Sequence, residues 1–302
     1  MSNLWGIDLG GTKIEGVVLR SNDDPTTLCR QRIDTEAAQG YEHVLTRIKL
    51  LVDQIAGEVG HHPELIGIGT PGTIDPPTQK LKNSNSTNLN GKPFKSDLEE
   101  ILGIPIKMAN DANCFALAET RMGIVPELCP RAEVVFGVIM GTGVGGGIVI
   151  NQKVLAGAQG IAGEWGHSFL DNSGGECYCG DTGCVETIIS GPALEKYYHT
   201  HSNKKLSLRN IVEHHLAGSD IHATKTVYRL LQFFGKGIAN VINILDPDII
   251  VLGGGVGNID LLYTEGVKMV AKHAFNVRLD TIIAKPKLGD SAGVFGAAFL
   301  ME

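Results

Sequence analysis

Two glycine-rich turns, half a chain apart, constrain this sequence more than any other feature. The first, Asp8-Leu9-Gly10-Gly11-Thr12-Lys13, lies within residues 4–19, where apolar runs on both sides read as the strands of a hairpin. The second, Gly141-Thr142-Gly143-Val144-Gly145-Gly146-Gly147, lies within residues 133–150 and repeats the order strand, Gly/Thr turn, strand. Glycines let backbone N–H groups crowd round an anion, and the Thr hydroxyl adds a donor. Neither turn has Walker A spacing, and neither opens a helix as dinucleotide-binding turns do. A third glycine cluster, Gly253-Gly254-Gly255, follows an apolar strand at 248–252. The recurrence predicts a duplicated α/β fold with a cleft between two lobes, where a nucleotide is held.

The rest of the chain fits that outline. Val44, Leu45, Ile48, Leu51, Val52, Ile55 and Val59 share one face of an amphipathic helix over 41–59. A strand at 65–69 ends in Gly69-Thr70-Pro71-Gly72, and another at 104–109 runs into Asn110-Asp111-Ala112-Asn113 and a helix to about Met122. Further helices are expected at about 224–245, near 260–273 and at 291–300. With 39 Gly in 302 residues, where ordinary usage gives roughly twenty, tight turns and close backbone approach are expected throughout. The net charge of −7 argues against a nucleic-acid partner. The uncharged run 134–152 holds six Gly, which argues against a membrane span there. No signal peptide is legible at the N-terminus, so a soluble, cytoplasmic protein is expected.

Of the six Cys, Cys29, Cys114 and Cys129 are scattered, whereas Cys177, Cys179 and Cys184 lie within eight residues. With His167 they make a Cys₃His set suited to tetrahedral zinc with no position left for substrate, hence a structural site. Glu164 and Glu186 flank it, so a rigid metal hub would fix two carboxylates able to accept hydrogen bonds from a ligand. Asp111, at a strand-to-helix junction, has helix N-capping as its plainest role.

The ordered motifs DLGGTK, GTPG, NDAN, GTGVGGG, GEWGH, CYCGDTGCVE and LGGG resemble the ROK (repressor, open reading frame, kinase) family of sugar kinases and regulators over nearly the whole chain. The resemblance implies an α/β, actin-like and hexokinase-like (ribonuclease H-like) duplicated fold with two lobes and a small zinc-binding insert. The N-terminal lobe would take residues 1–122, with 289–302 returning to it. The C-terminal lobe would take 123–288, including the zinc-binding segment 164–190. By the same resemblance, Gly10, Gly11, Thr12, Lys13, Gly141, Thr142 and Gly143 would cradle the phosphates of ATP. Gly253, Gly254 and Gly255 would lie against adenosine, and Asp8 would face Mg2+. Asp111 would be the general base. Thr70, Pro71, Gly72, Asn110, Glu164, His167 and Glu186 would contact the sugar, and a homodimer is the family's implied assembly.

Residues 82–94, rich in Asn, Ser and Thr, together with GTPG and the Trp of GEWGH, look most like bacterial fructokinases (mannokinases). Asn85 and Thr87 are then candidates for extra sugar contacts. The expected reaction is phosphorylation of fructose or mannose at O6, with glucose a further candidate. The alternative is an N-acetylhexosamine kinase, for N-acetylglucosamine or N-acetylmannosamine. A sugar-responsive regulator of the same family is disfavoured, because the first strand begins by Leu4 and no winged helix precedes it. An actin-like or chaperone ATPase leaves the Cys₃His cluster and its glutamates without a role.

Overall fold

A computed structural model describes residues 3–84 and 86–301. The chain divides into two compact units. One comprises Met1–Leu128, Gly147–Ala162 and Lys287–Glu302, and the other Cys129–Gly146 and Gly163–Pro286.

In the first unit, strands β1 (Leu4–Leu9) and β2 (Lys13–Leu19) form the first expected hairpin, and β3 (Thr27–Asp34) extends it antiparallel. Strands β4 (Ile66–Thr70), β5 (Thr73–Ile74), β6 (Leu81–Lys82) and β7 (Ile106–Asn110) follow. The main sheet runs β3-β2-β1-β4-β7, with β1, β4 and β7 mutually parallel, while β5 and β6 pair separately. The helix Tyr41–Val59 has the bounds its periodicity predicts, and its apolar stripe is buried from Val44 through Ile55. The helix Ala292–Phe299 packs on the other face of β1 and β4. That packing depends on glycine: a Cβ on Gly6 would lie 2.4 Å from the Val294 carbonyl, and one on Gly67 1.8 Å from the Ala297 carbonyl.

The second sheet repeats the pattern. Strands β8 (Val134–Met140), β9 (Val144–Ile150), β10 (Lys153–Val154), β11 (Ile249–Gly253) and β12 (Ile282–Ala284) run in the order β10-β9-β8-β11-β12. Its β8, β11 and β12 are parallel, as β1, β4 and β7 are in the first. The uncharged run 134–152 is thus a hairpin, and no helix among the described residues is long and apolar enough to cross a membrane.

Helix ends follow local capping. The long helix begins at Ile221, earlier than its apolar period suggests, because the Asp220 carboxylate accepts from the His222 and Ala223 amides at 2.7 and 3.3 Å. The single helix expected near 260–273 is broken: a 3-10 turn, Asp260–Tyr263, precedes the helix Glu265–His273, and Thr264 between them leaves helical geometry at φ −118°, ψ −81°.

Candidate functional site

Parallel strands place their C-terminal ends at one edge of a sheet, where α/β proteins hold ligands. In the first unit Asp8 on β1 is in register with Gly69 on β4, and Thr70 with Asn110 on β7. Asp8, Gly69, Thr70, Asn110 and Asp111 therefore gather at that edge although they span a hundred residues. The Asp8 carboxylate lies close to the backbone of Gly69 and Gly293, where an added Cβ would come within 3.3 and 3.1 Å of it. Burial, then the charges of Asp111 and Glu15, push its pKa up to about 7, against a smaller opposing effect of Arg32.

The helix Asp111–Arg121 starts at this edge, and its cap differs from the sequence expectation. Asn110, not Asp111, is the cap: its side-chain oxygen accepts from the Asn113 amide at 2.8 Å. The carboxylate of Asp111 occupies the first helical position and accepts from the Ala112 amide at 2.8 Å. Solvent reaches Asp111, yet surrounding protein displaces enough of its hydration to raise its pKa, against the lowering effect of the backbone N–H groups of Ala112 and Asp111 itself. A raised carboxylate is a better proton acceptor than a free one.

The turn between β1 and β2 is held from outside. Gly10 donates to the Lys13 carbonyl at 2.9 Å, and Thr35 donates to the Gly10 and Thr12 carbonyls through its hydroxyl (2.7 Å) and amide (2.9 Å). Gly11, Thr12 and Lys13 stay exposed and available to an anion. Thr35 is buried and was not singled out in the sequence, because no local pattern marks it. The Gly72 carbonyl accepts from the Thr70 hydroxyl at 3.3 Å, and Pro71 is buried beside it. Within 82–94, the Asn90 side chain clamps Ser84 through two bonds of 2.9 and 2.8 Å, so much of the segment's polarity closes its own loop. Thr87 is exposed at the start of a 3-10 turn, and Asn85 lies outside the described residues.

In the second unit, β8 and β11 run parallel in register through Ile139 and Gly253, which sets the turn at Gly141, Thr142 and Gly143 beside Gly253, Gly254 and Gly255. A Cβ on Gly141 would lie 4.0 Å from the Gly255 amide, and the Gly191 amide donates to the Gly141 carbonyl at 2.9 Å. A cavity of about 1080 Å3 opens from Thr142 and Gly255 between apolar walls that include Leu208, Val212, Leu216 and Ile259. Its size and walls suit a nucleoside. Those walls come from helices far along the chain, and no sequence motif announced them.

The four donor atoms of His167, Cys177, Cys179 and Cys184 lie within 4.8 Å of one another. The Cys177 sulfur is 3.6 Å from His167 Nδ1, and the Cys179 and Cys184 sulfurs are 3.7 Å apart. Arms of about 2.3 Å to sulfur and 2.0 Å to nitrogen at tetrahedral angles require edges of roughly 3.5–3.8 Å, so the set fits zinc. The other ring nitrogen, His167 Nε2, lies 3.0 Å from the Tyr178 hydroxyl. Tyr178 is largely exposed, yet neighbouring protein displaces part of the hydration of its hydroxyl, and this, then the nearby charges of Glu186, Cys177 and Glu164, pushes its pKa up to about 12. Tyr178 is a group that the sequence reading passed over.

Glu186 opens a short helix two residues after Cys184, and its carboxylate accepts from the Val144 amide at 2.8 Å. Only a glycine fits beside it, since a Cβ on Gly143 would lie 2.5 Å from Glu186 Oε2. The carboxylate thus ties the loop of the Cys₃His set to the second glycine turn. Glu164 is half-buried just before a 3-10 turn, Trp165–His167. Trp165 is buried, its indole N–H donates to the Gly145 carbonyl at 3.1 Å, and its ring packs edge-on against Phe136. Its role is core packing, so it is no guide to a sugar.

The whole of residues 4–302 matches the ROK family model. An N-acetyl-D-glucosamine kinase from Pasteurella multocida (strain Pm70) is 37% identical over 307 residues, 98% of each chain. Among solved structures, a ROK hexokinase from Thermus thermophilus superposes with a TM-score of 0.87 at 30% identity, covering 99% of this chain and 97% of that one. A ROK family glucokinase from Streptomyces griseus, in complex with glucose and AMPPNP, gives 0.77 at 27% identity, with 99% of both chains covered. With this coverage, two sheet-containing lobes and the full set of motifs, the chain belongs to the ROK family and has its hexokinase-like fold.

Proposed function

We propose that this protein is an ATP-dependent sugar kinase whose acceptor is N-acetyl-D-glucosamine, phosphorylated on its 6-hydroxyl. The observation that carries the choice of sugar is the 37% identity, over 98% of both chains, to a kinase of that name. It outweighs the fructose or mannose expectation, two of whose three sequence signals have structural explanations: Trp165 is a core residue, and Ser84 and Asn90 close their own loop.

In this reading the exposed turn Gly10, Gly11, Thr12 and Lys13 and the turn Gly141, Thr142 and Gly143 hold the phosphates, and the cavity beside Gly255 holds adenosine. Asp8, whose pKa is raised by burial and then by its anionic neighbours, suits a divalent cation, and Asp8 would face Mg2+ through water. Bound there, Mg2+ would neutralise charge on the phosphoryl group. Glu164 and Glu186 hold the sugar with His167 close beside it, fixed by a structural zinc on His167, Cys177, Cys179 and Cys184. Thr70, Pro71, Gly72, Thr87 and Asn110 are further sugar contacts on this reading.

The 6-hydroxyl oxygen attacks the γ-phosphorus, an O–P bond forms, and the bond from that phosphorus to the bridging oxygen breaks. ADP leaves with that electron pair, while Asp111 orients the hydroxyl and takes its proton. The test is kcat/KM for N-acetylglucosamine, N-acetylmannosamine, glucose, mannose and fructose by coupled ADP release under one set of conditions. A tenfold preference for N-acetylglucosamine, ~1.4 kcal/mol at the transition state, is expected. A preference for fructose or mannose would restore the original expectation, and no ADP release with any sugar would sink the kinase reading.

A further inference from the structure

Tyr178 sits in the second unit with no role in the reaction as derived. It lies between two cysteines of the Cys₃His set, so a metal bound there would pin its main chain on both sides. Its surface is 82% exposed, an unusual position for a large aromatic residue. Its ring stands edge-on to His167 at 5.1 Å, with the two planes at 85°. Its hydroxyl is 3.0 Å from His167 Nε2, and its surroundings include Glu164 and Glu186.

The direction of that hydrogen bond follows from the cluster. His167 turns Nδ1 toward the Cys177 sulfur. With Nδ1 engaged by a metal, the neutral ring carries its proton on Nε2. Nε2–H then donates, the Tyr178 oxygen accepts, and the phenol proton is left to point at something else.

The groups around it define what that could be. Glu164 and Glu186 are carboxylates and therefore acceptors, matched to sugar hydroxyls or to an amide N–H. An acetamido group also needs a donor for its carbonyl and an apolar surface for its methyl. The Tyr178 hydroxyl offers the donor, and its exposed ring offers the surface.

We propose that Tyr178 is a specificity-determining residue that binds the acetamido group of the acceptor sugar, its hydroxyl donating to the amide carbonyl and its ring covering the methyl. The proposal rests on the N-acetylglucosamine reading above and deepens it. A site built to hydrogen-bond a substituent discriminates strongly, because sugars lacking that substituent leave a polar group unpaired.

The experiment compares the parent protein with Tyr178→Phe and Tyr178→Ala in three measurements: kcat/KM for N-acetylglucosamine and glucose, calorimetric binding of each sugar without nucleotide, and zinc content. Tyr178→Phe is expected to lose about tenfold in kcat/KM for N-acetylglucosamine, mostly through KM, and Tyr178→Ala more. Glucose should change by less than about threefold and zinc content not at all, and binding of N-acetylglucosamine should weaken in parallel with KM. If both sugars fall together, or the parent's sugar ratio survives Tyr178→Ala with zinc retained, the Tyr178 assignment is overturned while the substrate reading stands. If the parent itself prefers glucose, the substrate reading fails first and takes the assignment with it. Should Tyr178→Ala lose zinc, Tyr178→Phe decides, since it keeps the ring packed on His167.

Discussion

The division of labour between two adjacent residues decides how the site can be tested. Asn110 caps the helix Asp111–Arg121, and the Asp111 carboxylate is left at its first position with a raised pKa. Asp111→Asn should therefore leave thermal stability nearly unchanged while lowering kcat by roughly 10²–10⁴-fold, the usual range for a positioned base. Turnover within a few-fold of the parent would show that Asp111 does not act as the base. Asn110→Ala removes the cap, and its midpoint in urea should report a loss of about 1 kcal/mol. The motif NDAN was legible in the sequence, but the assignment of roles inside it was not. Either residue could cap on spacing alone, and the choice depends on a backbone angle: Asn110 is extended at φ −71°, ψ 164°, as a cap must be. Thr35 escaped notice for a different reason, because it acts through Gly10 and Thr12, which only folding brings near, whereas Tyr178 stands inside the cysteine motif with no pattern of its own to mark it.

Elements marked by a strong period or a punctuating turn were readable, and those without either were not. The helix Tyr41–Val59 and both glycine hairpins have the bounds that the pattern suggests. Strand β3 carries Arg30 and Arg32 on an edge, where both pair with the buried Glu15, so it lacks the apolar alternation of an ordinary strand. The helices Gly191–Ser202 and Leu208–Leu216 bury few side chains and were likewise missed. Two elements carry predictions of their own. The loop that carries the Cys₃His set has little apolar content and turns at Gly175, Gly180 and Gly183, all at positive φ, so its order should depend on a bound metal. Cys179→Ser should lower zinc content by metal analysis and lower Tm by roughly 2–4 °C for each kcal/mol lost; full zinc occupancy in that variant would remove Cys179 from the ligand set. The helix Ala292–Phe299 depends on Gly67, and Gly67→Ala should destabilise by about 1–3 kcal/mol in urea through overpacking against the Ala297 carbonyl.

At the scale of the whole molecule, duplication was the most legible property, because two similar hairpins followed by related material leave a repeat in the sequence itself. The cost of gathering anions at the strand ends was not legible, since it arises only when β1, β4 and β7 align. Asp8 shows that cost. Its pKa is about 7 in the folded protein against an ordinary value of 3.8, raised by burial and then by Asp111 and Glu15. Between those values the native state holds a proton that the unfolded chain has released, so stability falls as pH rises. Its contribution is fully present below about pH 4 and is lost as pH passes through about 7. The slope is roughly 1.4 kcal/mol per pH unit, and because Asp8 keeps part of its surface in solvent, the resulting ~4 kcal/mol is an upper bound. Asp8→Asn abolishes this titration at nearly constant shape. With no divalent cation added, the variant should match the parent near pH 4 and exceed it in stability near pH 7.5, read as the difference between their urea midpoints across that range. Added Mg2+ should then stabilise the parent more than the variant at pH 7.5, because only the parent offers the carboxylate. Phosphoryl transfer by the variant should collapse even as its stability rises, the pattern expected where a site holds unfavourable charge in readiness for a ligand. A variant less stable than its parent at pH 7.5 would mean that Asp8 is a structural acid, held by partners that favour its charged form.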